Sequence, residues 1–345
     1  MIYPMDDIDA IIESYKQTCR KGEHSALATL VHVAGAAFRK VGARMLVDSS
    51  GASTGAITAG CIEDDIIEKA RAVIRTGEPV IARYDTGSEK EILFGWGSGC
   101  DGILSVLIEP IKPDDPTGIL PYLAESRASR KAADLATIYE VKDIVGEYSL
   151  GRHFYDSIPA ELTAARDNGY CSIFIEHIAP PSRLVIFGAG PVAAPLARMA
   201  SETGWDVTVI DRRPLAGESA NFPQSATLLS LPYESLSEKI ELDSATAVVI
   251  TTHNFLDDAA LIISALKTPV RTISILSSRG RAAHLIETVE SEIGPITSSD
   301  RERIYAPAGL DLGGDTPASI ALSIIAQLSQ IFHSTTGRPL RDNVS

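Results

Sequence analysis

The sequence predicts an α/β chain in two parts: an N-terminal α/β domain, then a Rossmann-like domain with a doubly wound parallel sheet. Three observations carry this prediction. The chain has 345 residues, more than one core usually organises. After residue 183, short apolar strand patterns alternate with helical ones. The first of those strands, LVIFG, runs directly into a glycine-rich turn that opens a helix.

In the first part, Asp6 and Asp7 are candidate helix caps, and Ile8, Ile11, Ile12, Tyr15 and Cys19 then recur at helical spacing. ALATLVHV (26–33) and ARMLVDSSGAS (43–53) read as strands, the second running into a turn at Ser49–Gly51. From Cys61 to Arg75 the apolar spacing is helical, and Gly77 is the stop. PVIARYD (79–85), EILF (91–94) and ILSVLIE (103–109) read as strands. KPDDPTG (112–118) reads as a long turn. Beyond it come a helix near 117–129, strand near 135–141, helix near 159–167 and the strand YCSIFIEHI. APPSR (179–183) interrupts the pattern, which divides the chain into domains 1–178 and 179–345.

In the second part a helix is expected from Val192 to Thr203. DVTVID (206–211), ATLLSL (226–231), AVVITT (247–252) and RTISIL (271–276) are strands with helices between. The final helix, PASIALSIIAQLSQIF (317–332), is apolar nearly all round. That pattern calls for deep burial or a subunit interface, and a homodimer is the expectation.

Composition excludes several classes. The formal net charge is −14, which argues against a nucleic-acid partner. No apolar run approaches the roughly 18 residues of a membrane span. The opening MIYPMDDIDA is acidic where a secretory leader is basic, so a cytoplasmic protein is expected. Four scattered cysteines, none in a CxxC pair, exclude a disulfide scaffold and a structural zinc site. Cys19 and Cys171 fall on apolar faces and read as core.

The chemistry concentrates in a few segments. Gly188-Ala189-Gly190-Pro191-Val192-Ala193 has the G-x-G-x-x-A form between a strand and a helix, with Asp211 closing the next strand. Gly188 suits the tight turn, Gly190 lets a pyrophosphate approach, Ala193 allows close helix packing, and Asp211 is placed to accept from a ribose hydroxyl. TTHNFLDD places His253 and Asp257 at a strand end, and LSSRGR places Ser278 and Arg279 at the next. In the first part, TGAITAGCIEDD and GWGSGCDG each embed one thiol, Cys61 and Cys100, in glycine-rich chain.

Taken in order, AAFRKVGARMLV, GAITAGCIEDD, GSGCDG, RLVIFGAG, VTVIDRRP, TTH, LSSR and APAGLDLGGDTPASIALSI resemble the XdhC/CoxI family of xanthine dehydrogenase accessory proteins. The resemblance covers most of the chain. It implies a factor that binds the molybdenum cofactor, supports its sulfuration and delivers it to a xanthine dehydrogenase-type molybdenum hydroxylase. A cysteine desulfurase or sulfurtransferase would be a second partner. It implies a chaperone rather than an independent enzyme. It draws Arg39, Gly99 and Gly102 into cofactor binding. It makes Cys61 and Cys100 soft ligands for molybdenum or for transferred sulfur, with Glu63 placed to orient or protonate Cys61. Against the family's usual pattern, Pro191 replaces a histidine, Asn254 an aspartate, Ser277 a glycine and Gln327 a glutamate. The fingerprint at 188–211 keeps an alternative open, an NAD(P)-dependent oxidoreductase with Arg212 and Arg213 near a 2′-phosphate.

Overall fold

Strand β1 (Ser25–Gly35) shows why the N-terminal part is layered. Its side chains alternate between two apolar environments, as a two-residue period requires. Ala26, Ala28 and Leu30 face Ile66, Ala70 and Val73 of helix α2 (Glu63–Thr76). Leu27 faces the other way, among Ile11, Ile12 and Tyr15 of helix α1 (Asp6–Arg20) and Leu120 and Leu123 of helix α3 (Ile119–Ser129). Cys19 packs at the edge of that same cluster. Helix α2 ends at Gly77, whose φ of 72° places it in the left-handed region while its N–H caps Val73 O.

The computed structural model describes residues 6–85, 102–113, 115–142, 148–215, 219–233 and 240–342. Gly99, Cys100 and the expected strand at 91–94 lie outside them. The chain divides into two units at Pro180/Pro181.

In the first unit, β1 is central in a five-stranded antiparallel sheet with β2 (Arg44–Asp48), β3 (Ser53–Gly55), β4 (Val80–Asp85) and β5 (Gly102–Ile111), in the order β3-β2-β1-β5-β4. A second antiparallel sheet has β6 (Ala133–Val141) between β7 (His153–Tyr155) and β8 (Cys171–Ile178). Helix α4 (Ala160–Asp167) packs on it through Leu162, beside buried Cys171. The short β7 has no alternating apolar pattern of its own, so the sequence does not mark it.

The second unit is a six-stranded parallel sheet. Its strands are β9 (Arg183–Phe187), β10 (Asp206–Asp211), β11 (Thr227–Ser230), β12 (Thr246–Ile250), β13 (Thr272–Ile275) and β14 (Ile304–Tyr305), in the order β11-β10-β9-β12-β13-β14. Both faces are covered, so the strands read as continuous apolar runs. Leu184 and Ile186 face helix α5 (Ala193–Glu202), whereas Val185 and Phe187 face helix α6 (Phe255–Leu266). Helix α7 (Arg279–Ile293) adds Leu285 and Val289 to the α6 side, and a short α8 (Ser298–Glu302) precedes β14. Helix α9 (Pro317–Phe332) buries Ala321, Ile324 and Leu328 on the α5 side. Its apolar character is thus used largely within its own unit, although Leu322 is 51% exposed. No helix among the described residues is long and apolar enough to cross a membrane.

Candidate functional site

The strand order gives the second unit a topological switch point. From β9 the chain moves outward to β10 and β11, then returns to the other side of β9 as β12. The loops after β9 and β12 therefore diverge, and ligands of open parallel sheets bind in that crevice. A cleft of about 400 Å³ lies there, lined among others by Gly188, Gly190, Asp211, His253 and Asp257.

The two glycines of the turn serve different ends. Gly188 has φ +95°, and a Cβ there would lie 2.9 Å from the carbonyl of Thr251 and from Thr252 Cα. The meeting of β9 and β12 alone demands glycine. At Gly190, φ is ordinary and a Cβ would meet nothing nearer than Thr251 O at 3.7 Å. The chain's own packing does not need glycine at that position, so the space is open to a ligand. Ala193 is fully buried against the sheet, as close helix packing requires. Pro191 lines the cleft at the start of the turn leading into α5, where no helical hydrogen bond is lost.

Asp211 closes β10, 3% exposed. Its Oδ2 accepts from Ala189 N–H at 2.8 Å and Arg213 Nη2 at 2.9 Å; its Oδ1 accepts from Arg213 N–H at 2.9 Å and Nε at 3.0 Å. Burial opposes its ionisation, but these bonds outweigh burial and bring the pKa down to about 2. The expected ribose acceptor thus already holds four donors of its own chain.

The β12 loop carries the sharpest backbone feature of the cleft. His253 adopts φ +59°, and this exposed histidine lies in the left-handed region, which disfavours side chains. Neighbouring residues hold the turn. The Thr251 hydroxyl reaches Gly188 O at 2.8 Å. Thr252 Oγ1 accepts from Asn254 N–H at 3.1 Å and donates to buried Asp258. Asn254 caps α6 by accepting from Leu256 and Asp257 N–H, which an amide oxygen does as well as a carboxylate. Asp257 pairs with Arg212 at 2.9 Å, and Arg212 lies over the Tyr233 ring, 5.0 Å from its centre. Burial, with Asp211 and Asp257 nearby, pushes the Tyr233 hydroxyl up to about 12, so it stays protonated.

Ser278 and Arg279 do not line the cleft. Ser278 caps α7, its hydroxyl accepting from Arg281 N–H at 3.3 Å. Gln327, on α9, is 7% exposed and takes both sides of the Gly309 peptide group: Oε1 accepts from Gly309 N–H at 2.8 Å and Nε2 faces Gly309 O at 3.4 Å. A glutamate could not donate to that carbonyl.

In the first unit, Cys61 is half-buried at the start of α2, and Gly60 beside it has φ +104° with open space around it. Glu63 organises this turn. Its carboxylate accepts from Thr58 N–H at 2.6 Å, from the Thr58 hydroxyl at 2.7 Å and from Ile62 N–H at 3.2 Å. Thr58 Oγ1 in turn accepts from Cys61 N–H at 3.1 Å. Burial works against ionisation, yet these donors lower the Glu63 pKa. It positions the thiol's loop as an acceptor and is ill suited to protonate it. Gly102 is buried at the start of β5, where a Cβ would fall 2.5 Å from Ala36 O. Strand pairing, rather than ligand access, demands that glycine. Arg39 is half-buried in the connection between β1 and β2. Among the described residues no group of three or more His, Cys, Asp or Glu side chains is placed to hold a metal ion.

An N-terminal α/β unit followed by a parallel-sheet unit with its cleft at the switch point defines a two-unit protein of Rossmann type. Residues 184–328 match the model of the XdhC Rossmann domain and residues 18–85 that of the XdhC and CoxI family. The chain belongs to the XdhC and CoxI family. It is 28% identical to a protein of Bacillus subtilis described as a probable xanthine dehydrogenase component, over 94% of this chain and 96% of that one. It is 22% identical to the molybdenum cofactor insertion chaperone PaoD of Escherichia coli, over 94% of this chain and 89% of the chaperone. The crystal structure of a xanthine dehydrogenase from Bacillus halodurans superposes with a TM-score of 0.76 at 28% identity, covering 97% of this chain and 98% of that one.

Proposed function

We propose that this chain is an accessory protein of molybdenum hydroxylase maturation. In this reading it binds the molybdenum cofactor, supports its sulfuration and hands it to a xanthine dehydrogenase-type enzyme. The observation that carries the reading is the match to a molybdenum cofactor insertion chaperone across both units. A match confined to the Rossmann unit would speak only of a nucleotide fold.

Each unit, taken by itself, offers residues of a kind such a cofactor needs. The open space at Gly190 and the start of α5 suit a phosphate. Arg212 and Arg213 also line the cleft, each paired with a carboxylate, Arg212 with Asp257 and Arg213 with Asp211. Cys61, on its open glycine turn, is the described thiol best placed to take a soft ligand. Cys100 is assigned the same role from its sequence setting. When bound, the cofactor supplies the redox-active molybdenum centre that the target enzyme needs. His253 and Asp257 would orient the ligand at the strand ends, and a cysteine desulfurase or sulfurtransferase would be the sulfur donor. The reading includes a cytoplasmic homodimer.

The NAD(P)-dependent oxidoreductase is less well supported, because Asp211 spends its acceptor capacity on Ala189 and Arg213. The deciding experiment is to load the protein with molybdenum cofactor, desalt it, and offer it to an apo-hydroxylase. Retained molybdenum and restored hydroxylase activity are expected. Retention of NAD(P) with no retained molybdenum would overturn the proposal.

A further inference from the structure

In dinucleotide-binding folds a carboxylate at the end of the second strand takes a ribose hydroxyl. Asp211 holds that place at the end of β10 and lines the cleft. Each of its oxygens offers two lone pairs. On both, one is filled by a backbone donor and one by the Arg213 side chain. Oδ1 takes Arg213 N–H at 2.9 Å and Arg213 Nε at 3.0 Å. Oδ2 takes Ala189 N–H at 2.8 Å and Arg213 Nη2 at 2.9 Å.

The two kinds of donor are not equivalent. Ala189 N–H belongs to the turn after β9 and Arg213 N–H to the chain leaving β10, so the backbone pair ties two strand ends together. Those donors are main chain and survive a change of side chain. They also remain to hold the carboxylate ionised at neutral pH. The guanidinium adds one bond to each oxygen as a fork, from a side chain 66% exposed against 4% for Asp211. It covers from the solvent side the two acceptor positions that the backbone leaves over. Two positions, one on each oxygen of a single carboxylate, are what the vicinal hydroxyls of a ribose need. Arg212 does not share this task, because it pairs with Asp257 and lies over the Tyr233 ring.

We infer that Arg213 is a specificity-determining residue of the cleft: its guanidinium shuts out nucleotides with a free 2′,3′-diol, adenine dinucleotides among them. The space at Gly190 stays open beside it, so the cleft selects a phosphorylated ligand with no free ribose diol at Asp211. The inference rests on the proposed function only in taking this cleft for a ligand site; it does not depend on the accessory role.

The test is calorimetric titration of the full chain with ADP, 2′-deoxyADP and adenosine 2′,5′-bisphosphate. The unaltered protein is expected to bind ADP weakly and to treat ADP and 2′-deoxyADP alike. Arg213→Ala is expected to bind ADP about tenfold or more tighter, with 2′-deoxyADP gaining much less. Removing a cation weakens attraction for any anion, so a general charge effect has the opposite sign. Arg213→Met, which keeps the stem and loses every donor, serves in its place should Arg213→Ala not fold. Unchanged ADP affinity in the variant, or an equal gain for ADP and 2′-deoxyADP, would overturn the inference. A preference of the unaltered protein for ADP over 2′-deoxyADP would do so without any variant. Tight binding of adenosine 2′,5′-bisphosphate that Arg213→Ala loses would also overturn it, because Arg213 would then read a 2′-phosphate. Molybdenum retention separates the two proposals. If the variant gains no ADP binding while the unaltered protein retains molybdenum, the role of Arg213 falls and the accessory role stands. If the gain appears but no molybdenum is retained, the role of Arg213 stands and the accessory role falls.

Discussion

Asp211→Asn keeps the shape of the β10 terminus and removes its charge. In the native state the carboxylate takes two backbone N–H groups and the Arg213 fork, and its pKa falls from an ordinary 3.8 to about 2. With the side chain 4% exposed, solvent screens little of this. At about 1.4 kcal/mol for each tenfold change in acidity, ionised Asp211 contributes about 2 kcal/mol to folding at neutral pH. Because the folded pKa is the lower one, the contribution is complete above 3.8 and is lost as pH falls towards 2. At pH 3 about half should remain. Denaturant unfolding in a Trp96→Phe background lets Trp205, buried in the second unit, report that unit alone. The native chain should exceed Asp211→Asn by about 2 kcal/mol at pH 7, with the gap narrowing steadily below pH 4. An unchanged gap at pH 3, or none at pH 7, would refute the argument that ionic hydrogen bonding outweighs burial.

Gly188→Ala forces a Cβ to within 2.9 Å of the β12 backbone at positive φ, and should lower stability by about 2 kcal/mol or more. Gly190→Ala should melt normally yet retain less cofactor, and thermal melting beside molybdenum retention separates the pair. Ser278→Ala should cost about 1 kcal/mol as a lost cap with retention unaffected; lost retention at normal stability would return Ser278 to ligand binding. Gln327→Glu should destabilise by about 1–3 kcal/mol, read by melting, because the new side chain cannot donate to Gly309 O. Cys100→Ala should reduce molybdenum retention more than Cys19→Ala or Cys171→Ala, and equal retention in all three would remove its ligand role.

What the sequence made legible was whatever local chemistry encodes. Continuous apolar runs, buried on both faces, marked β9, β10, β12 and β13, and Gly77 marked the end of α2. The G-x-G turn was legible because its spacing between a strand and a helix is a local pattern, although the crowding that demands Gly188 comes from Thr251 and Thr252. Partnerships made across the sheet were not. Asp211 looked like a ribose acceptor because nothing local reveals that Ala189 N–H, 22 residues earlier, donates to it. Ser278 looked like a ligand residue because strand ends often bear them, yet the same position is also an N-cap. Gly102 looked like flexible chain, although β1 backbone crowds it.

Strand β9 is the first strand of its unit in the chain but sits third in the sheet, between β10 and β12. A chain that ends after residue 230 contains β9, β10 and β11 but lacks the second neighbour of β9. Its open edge, Leu184-Val185-Ile186-Phe187, is apolar on both faces and bears unpaired backbone groups until residues 246–250 arrive. A nascent chain halted before residue 246 would therefore expose an adhesive strand edge. The β12 strand covers the edge of β9 and presents its own edge in turn, until β13 at residues 272–275 pairs with it.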